Sequence, residues 1–260
     1  MAVIPVTSGL QLLLDARTIT GLSDGAALSV TWADQSGQGN NASQGTAANR
    51  PIYKTNIFGS NPAVRHVDST DFVSGSFASW GSMSGMTTLV CGSNFPASQT
   101  GSGRMFSMAA SGITDTMGFL FGQTPNQSMW TGGSDRFPLG IPLTSVGASQ
   151  PIILGGSMSS SQLDQIVNGV VRGNHSHGTS LPSAPSVYAT GYINAGVPTA
   201  GFSCLWDCHF IVVFNRKLTG SEIEQVCSWM RTELGMQPAA SSGGGSLINS
   251  QQLVRQGWIS

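Results

Sequence analysis

The chain has 260 residues, a formal net charge of −1 and only 9% charged residues, against 40% hydrophobic ones. A soluble domain usually carries about 25% charged residues, so Ser, Thr, Asn, Gln and the 34 glycines must supply most of the surface. This balance excludes electrostatic attraction to nucleic acid or to an anionic membrane as the basis of function, and it suits sugar contact or packing among many neighbours.

The N-terminus, Met1-Ala-Val-Ile-Pro-Val, lacks the basic start and long apolar run of a secretory signal. No apolar run approaches the roughly 18 residues of a membrane span, so synthesis in a cytoplasm is expected. Residues 1–16 read as an arm and a first strand, Leu10 to Asp15. Ala27 to Trp32 reads as a second strand, from partial alternation. Then comes Trp32-Ala-Asp34-Gln-Ser36-Gly37-Gln-Gly39-Asn40-Asn41-Ala42, a polar run whose glycines and asparagines permit tight turning. Asp34, Asn40 and Asn41 offer hard oxygen ligands for calcium; alternatively, Asp34 and Ser36 cap backbone amides.

Asn61 to Val67 and Met86 to Gly92 read as strands, the latter central. Met105–Met108 and Met117–Gly122 read as a hairpin. Residues 123–150 are rich in Gly, Pro and Ser and read as loop. Trp130 and Phe137 there, with Trp80 earlier, are the candidate sugar platforms, set against the plainer reading as core or interface filler. Pro151–Met158 reads as a strand, and Gln162–Val171 as a hairpin around Asn168-Gly169, the strongest short hairpin signal. A polar loop over 172–186 contains His175 and His177, expected to be solvated. Phe202 to Phe214 reads as one long strand.

A helix follows. Thr219 is its N-cap, with Glu222 three residues later to complete a capping box. Ile223, Val226, Cys227, Met230 and Leu234 form its apolar stripe, and Gly235 stops it. Cys204 and Cys208 stand four apart on one strand, too far for a bridge between them. The four cysteines, Cys91, Cys204, Cys208 and Cys227, are expected to be buried thiols, with a disulfide between distant ones as the alternative. No Cys-x-x-Cys pair is present, which argues against structural zinc.

Two stretches carry a resemblance. The first is Leu12-x-Leu14-Asp15-Ala16, Asp24-Gly25, Trp32-x-Asp34-x-Ser36-Gly37-x-Gly39-Asn40-x-Ala42 and Arg50-Pro51-x-Tyr53. The second is Asn215-Arg216-x-Leu218-Thr219-x-x-Glu222 with the closing Leu234-Gly235. Together with the Val167-Asn168-Gly169 turn they resemble the laminin-G-like, concanavalin-A-type jelly-roll domains of phage virion proteins and bacterial surface proteins, over about residues 8–236. His66-Val67-Asp68 departs from the Phe-Asp or Phe-Asn pair that often follows Val-Arg in that family. The resemblance implies an all-β, two-sheet jelly-roll sandwich with one short C-terminal helix.

The expected domain spans residues 1–236, followed by a Gly/Ser linker over 237–246 and an extended arm over 247–260. The arm's Leu247, Ile248, Leu253, Val254, Trp258 and Ile259 are expected to dock on the domain or on a neighbouring chain, since so short a segment cannot bury its own side chains. Glycan hydrolases of this fold need paired carboxylates. All three glutamates, Glu222, Glu224 and Glu233, fall on the helix, and no strand carries an acidic pair at i, i+2. The expectation is therefore a non-enzymatic structural protein of a bacteriophage particle. It would be a capsid decoration protein on the virion surface, without a cofactor, whose arm binds other virion proteins. The alternative is a glycan-binding adhesion module, tail-associated or bacterial, with a host glycan as partner.

Overall fold

The computed structural model describes residues 2–81, 83–95, 103–110, 117–121, 126–131, 135–142, 150–176, 184–194, 197–199 and 204–237. At 103, 117–121, 126–131, 135–142, 173–176, 192 and 194 it describes the backbone alone. The strands are β1 (Leu10–Asp15), β2 (Ile52–Phe58), β3 (Asn61–His66), β4 (Ser74–Ser76), β5 (Met86–Ser93), β6 (Gly103–Ala109), β7 (Met117–Phe121) and β8 (Asn126–Thr131). They continue as β9 (Asp135–Pro142), β10 (Ile152–Met158), β11 (Gln162–Val167), β12 (Val170–Ser176), β13 (Val187–Ala189), β14 (Tyr192–Asn194), β15 (Val197–Thr199) and β16 (Trp206–Phe214), before helix α1 (Gly220–Leu234).

Among the described residues all pairings are antiparallel. The large sheet runs β12-β11-β10-β5-β16-β3-β2, and β1 also pairs with β16, beside its second half. The small sheet runs β4-β13-β6-β7-β8-β9, and β14 pairs with β15 as a separate ribbon. The chain is thus an all-β, jelly-roll-like sandwich of two antiparallel sheets with one C-terminal helix.

Burial explains why the central strands lack polar alternation. β5, β10 and β16 are buried along their whole length, as expected of strands covered on both faces. On one face, Leu12, Leu14, Val64, Val90, Leu154, Ile211 and Val213 pack with Phe106, Met108 and Tyr188 of the small sheet. On the other, Leu13, Leu89, Ile153, Phe210, Val212 and Phe214 pack with Ile223, Val226, Met230 and Leu234 of α1 and with Ile4 and Val6 of the N-terminal arm. Each such side chain contributes about 1.5–3 kcal/mol on full burial.

Local signals set the helix and the hairpin. The Thr219 hydroxyl accepts from the Glu222 amide, the Glu222 carboxylate accepts from the Thr219 amide at 2.9 Å, and Gly235 closes α1 at φ +69°. Asn168 (φ +49°) and Gly169 (φ +86°) make the β11–β12 turn. That turn is docked: Asn168 exchanges hydrogen bonds with the Ile153 backbone, and its carbonyl accepts from Arg231 of α1 at 2.9 Å. All four cysteines are free and buried. Burial pushes the Cys227 thiol up to about 12, which keeps it an unreactive apolar group.

Four sequence-based expectations are corrected. Ala27 to Trp32 is not a strand; it makes only isolated bridges, Ala27 to Ile52 and Trp32 to Ala42. The last long strand starts at Trp206, not Phe202. Residues 126–131 and 135–142, expected as loop, are β8 and β9. The edge position of β9 makes this possible, because Pro138 and Pro142 lack an N–H and are tolerated where one side of a strand has no partner. His175 lies in edge strand β12 rather than in a loop, while His177 lies outside the described residues.

Candidate functional site

The run from Trp32 to Asn40 lies along the free edge of β1. That strand pairs with β16 on one side only. On its other side the carbonyls of Gln11, Leu13 and Asp15 point outward, and each finds a donor in this run. Asn40 Nδ2 donates to Gln11 O at 2.7 Å, Gln35 N to Leu13 O at 2.8 Å and the Trp32 indole to Asp15 O at 2.9 Å. Asp34 completes the set: its Oδ1 accepts from Leu13 N and Ser36 N, both at 2.9 Å, and its Oδ2 accepts from Ser36 Oγ at 2.6 Å and Asn40 N at 2.9 Å. Asn40 then ties β1 to the other sheet, as its Oδ1 accepts from Ala78 N and its carbonyl from the Tyr188 hydroxyl at 2.6 Å. Asn41 Oδ1 accepts from Asp34 N at 2.9 Å. Every side-chain oxygen named as a calcium ligand therefore already accepts a hydrogen bond, and the described residues contain no cluster of three metal-ligating side chains. The run acts as a strand-edge cap, which blocks pairing with another chain.

The aromatic candidates separate. Trp80 is only 5% exposed, its ring edge-on to Phe77 with centroids 4.6 Å apart, and its carbonyl accepts from Asn215 Nδ2. It belongs to the core. Trp130 and Phe137 lie on neighbouring strands β8 and β9 at the edge of the small sheet. Trp130 stands directly opposite Arg136, which the sequence reading did not single out. Gly132-Gly133-Ser134 between two short runs was the available hairpin signal. The linker over 238–246 and the arm residues Leu247, Ile248, Leu253, Val254, Trp258 and Ile259 lie outside the described residues.

Among the described residues, these acidic side chains are engaged in ion pairs. Arg216 binds Glu222 at 2.7 Å, Arg231 binds Glu224, and Arg17 binds both Asp15 and Glu233 at 2.7 Å. The Arg216 guanidinium holds the Glu222 carboxyl down to about 2. Arg65 makes a bidentate pair with the fully buried Asp207 at 2.6 and 2.7 Å. Lys217 binds Asp164, and Lys54 binds Asp24. One pair has the atoms of a nucleophile and its base: Ser93 Oγ lies 3.2 Å from His209 Nε2, and His209 Nδ1 lies 2.9 Å from the Pro62 carbonyl. That carbonyl requires a proton on Nδ1, so Ser93 donates to Nε2. Ser93 is 4% exposed and His209 1%, which makes this a buried cross-strand hydrogen bond.

The geometry defines a class of fold rather than a reaction. No protein family matches the chain by sequence, and no curated protein does. Solved structures match by shape. Trypanosoma rangeli sialidase in complex with sialic acid matches at a TM-score of 0.57 and 16% identity, over 91% of this chain and 35% of that one. The receptor binding domain of botulinum neurotoxin C/D mosaic serotype matches at 0.62 and 11%, over 86% of this chain and 52% of that one. A mutant of the Trypanosoma rangeli sialidase displaying trans-sialidase activity matches at 0.53 and 16%, over 91% and 35%. This chain thus spans a third to a half of the chains it matches.

The expectation of a bacteriophage capsid decoration protein, bound to other virion proteins, is corrected by these matches. They belong to a sialidase and to a toxin receptor-binding domain, not to virion proteins. The residues behind the phage reading explain the error. The Trp32–Ala42 run caps a strand edge, and the Thr219–Gly235 run caps a helix. Both are requirements of the sandwich, and neither specifies where the sandwich is used.

Proposed function

We propose that this chain is a glycan-binding module that performs no catalysis. The observation that carries this reading is its two-sheet build, which it shares with part of a sialidase and with a toxin receptor-binding domain. The composition supports it. A surface of hydroxyls and amides with few charges makes many weak, directional hydrogen bonds to sugar hydroxyls, while aromatic rings pack on the apolar face of a pyranose. The pairing of every glutamate with an arginine supports the absence of a glutamate-pair hydrolase mechanism, which needs one carboxyl free to donate a proton and a second free to attack or to activate water.

The test is a glycan array probed with the full chain, followed by titration calorimetry on the strongest hits. Saturable binding to a defined set of glycans is expected, with reducing-end assays showing no cleavage over a day. A flat response over the whole array overturns the binding reading, and release of sugar overturns the non-catalytic one.

A further inference from the structure

We propose that the C-terminal arm docks on its own domain as an added antiparallel strand along the free edge of β12, with Leu253 opposite Val171, Val254 opposite Val170 and Arg255 beside Glu224. This docking concerns a sheet edge and is independent of the glycan-binding reading.

A strand edge with unpaired N–H and C=O groups is a template for another strand. Three edges are closed by the chain itself. The Trp32–Asn40 run caps β1. On β2, the Tyr53 carbonyl accepts from Gly25 N and Tyr53 N donates to Ala26 O, both at 2.8 Å, while Thr55 N donates to Asp24 Oδ1 at 2.8 Å. On β4, Ser74 exchanges two hydrogen bonds with Ser43. β12 pairs with β11 on one side, and among the described residues no such cap lies along its other side. The Asn168-Gly169 turn, with both φ positive, closes on Val167 and Val170 as a hydrogen-bonded pair. The next pair, Ile166 and Val171, is then a non-hydrogen-bonded one. The Val171 N–H and C=O therefore face away from β11.

The side chains at this edge also lack a cover. Val170 is 40% exposed and Val171 37%. Val170 stands beside Val167 of the core between the sheets, and Val171 beside Ile166 of the core under α1. One valine thus extends each face of the sheet, and a strand with two adjacent apolar residues covers both. The arm offers three such pairs, Leu247-Ile248, Leu253-Val254 and Trp258-Ile259. Charge selects among them. In antiparallel pairing, the residue after the pair falls beside the turn on the α1 face, where the half-exposed Glu224 carboxylate lies against Gly169. Asn249 and Ser260 follow the first and last pairs, whereas Arg255 follows Leu253-Val254 and supplies a cation there. Parallel pairing would instead set Arg255 against Arg172, two like charges side by side.

The chain is long enough to make this contact. Arg231 bonds the Asn168 carbonyl at 2.9 Å, so α1 ends near the hairpin. The seven residues of β12 are about 23 Å long, and residues 237–248 extend to about 36 Å. The arm can pass the far end of β12 and run back along it to the turn.

Hydrogen exchange of the full chain, read at single amides by NMR, tests the docking. The Val171 amide is expected to exchange about tenfold or more slowly in the wild type than in L253N/V254N. The β5 amides should stay equally protected in both, which reports an intact fold. R255E is expected to speed Val171 exchange several-fold and R255K to leave it unchanged. In V171C/L253C, oxidised glutathione is expected to accept the two electrons of the two new thiols, giving one disulfide within the chain and two reduced glutathiones, because paired positions on antiparallel strands have the Cα separation a disulfide needs. Equal Val171 exchange in the wild type and L253N/V254N overturns the proposal. An unchanged rate in R255E overturns its register. A V171C/L253C pair that stays reduced also overturns it, as does a disulfide-linked dimer, which assigns the edge to the arm of a second copy.

Discussion

Asp34→Ala is the substitution on which the strand-edge cap stands or falls. The carboxylate accepts four hydrogen bonds within 2.6–2.9 Å, three of them from the backbone amides of Leu13, Ser36 and Asn40. Alanine orphans all three. A buried amide left without a partner costs about 1–3 kcal/mol. Leu13 and Asn40 are buried, so their amides bear most of the cost, whereas Ser36 is only partly buried and water takes over much of its share. The expected loss is about 3 kcal/mol, or roughly 6–12 °C in melting temperature for a domain of this size. Urea unfolding followed by tryptophan fluorescence reads it directly, because Trp32 sits at the start of the run and its indole bonds to Asp15. The wild-type protein should keep its midpoint in a chelator, since the oxygens bind amides. A loss below about 0.5 kcal/mol refutes the reasoning. So does a chelator that destabilises the wild type as much as the substitution does, because the carboxylate would then be holding calcium.

Three further outcomes follow from the same geometry. Arg65→Ala strands the fully buried Asp207 carboxylate and is expected to cost about 3–5 kcal/mol in urea unfolding; replacing both partners with apolar residues should recover part of it, and a single-substitution cost under 1 kcal/mol would contradict the pairing. Burial lowers the His66 pKa to about 3, against about 6.5 when unfolded. Only the unfolded chain binds that proton in the window between, so the contribution is fully present above about 6.5 and stability falls as pH drops, by up to about 1.4 kcal/mol per unit. His66→Gln should flatten the profile between pH 6.5 and 4.5, and an unchanged slope there would count against it. Gly169→Ala places a methyl against the Glu224 carboxylate and 3.2 Å from Cys227 Cβ, at a φ of +86°. A loss of about 2–4 kcal/mol is expected, read by thermal unfolding, and a neutral result would mean α1 does not press on the β11–β12 turn.

The elements that were legible in the sequence are those whose causes are local. Thr219 and Glu222 cap each other across three residues, Gly235 supplies its own left-handed turn, and Asn168-Gly169 needs only its own backbone to reverse the chain. The centrality of Met86–Ser93 was legible because a strand buried on both faces cannot hide its apolar run. The misreadings have nonlocal causes. Ala27 to Trp32 has a strand-like composition but finds only single bridges, to Ile52 and to Ala42. β9 looks like loop because an edge strand tolerates proline, and edge position is a property of the sheet.

The candidate sites show the same division. Trp80 and Trp130 read alike in sequence, each an aromatic residue among Gly and Ser. The structure buries the first against Phe77 and sets the second on β8, next to the edge strand β9 and opposite Arg136. Asp34 read as a calcium ligand or an amide cap, and only the position of β1, more than twenty residues upstream of Asn40, decided for the cap. Short-range spacing by itself determined the capped helix, the Asn168-Gly169 turn and the central strand, because turns, caps and burial patterns act over a few residues, while the two-sheet sandwich was implied by the family resemblance of two motif stretches. The tertiary structure alone decided which oxygens meet amides, which tryptophan is core and which residues share a row, because those depend on strands that meet across long stretches of chain.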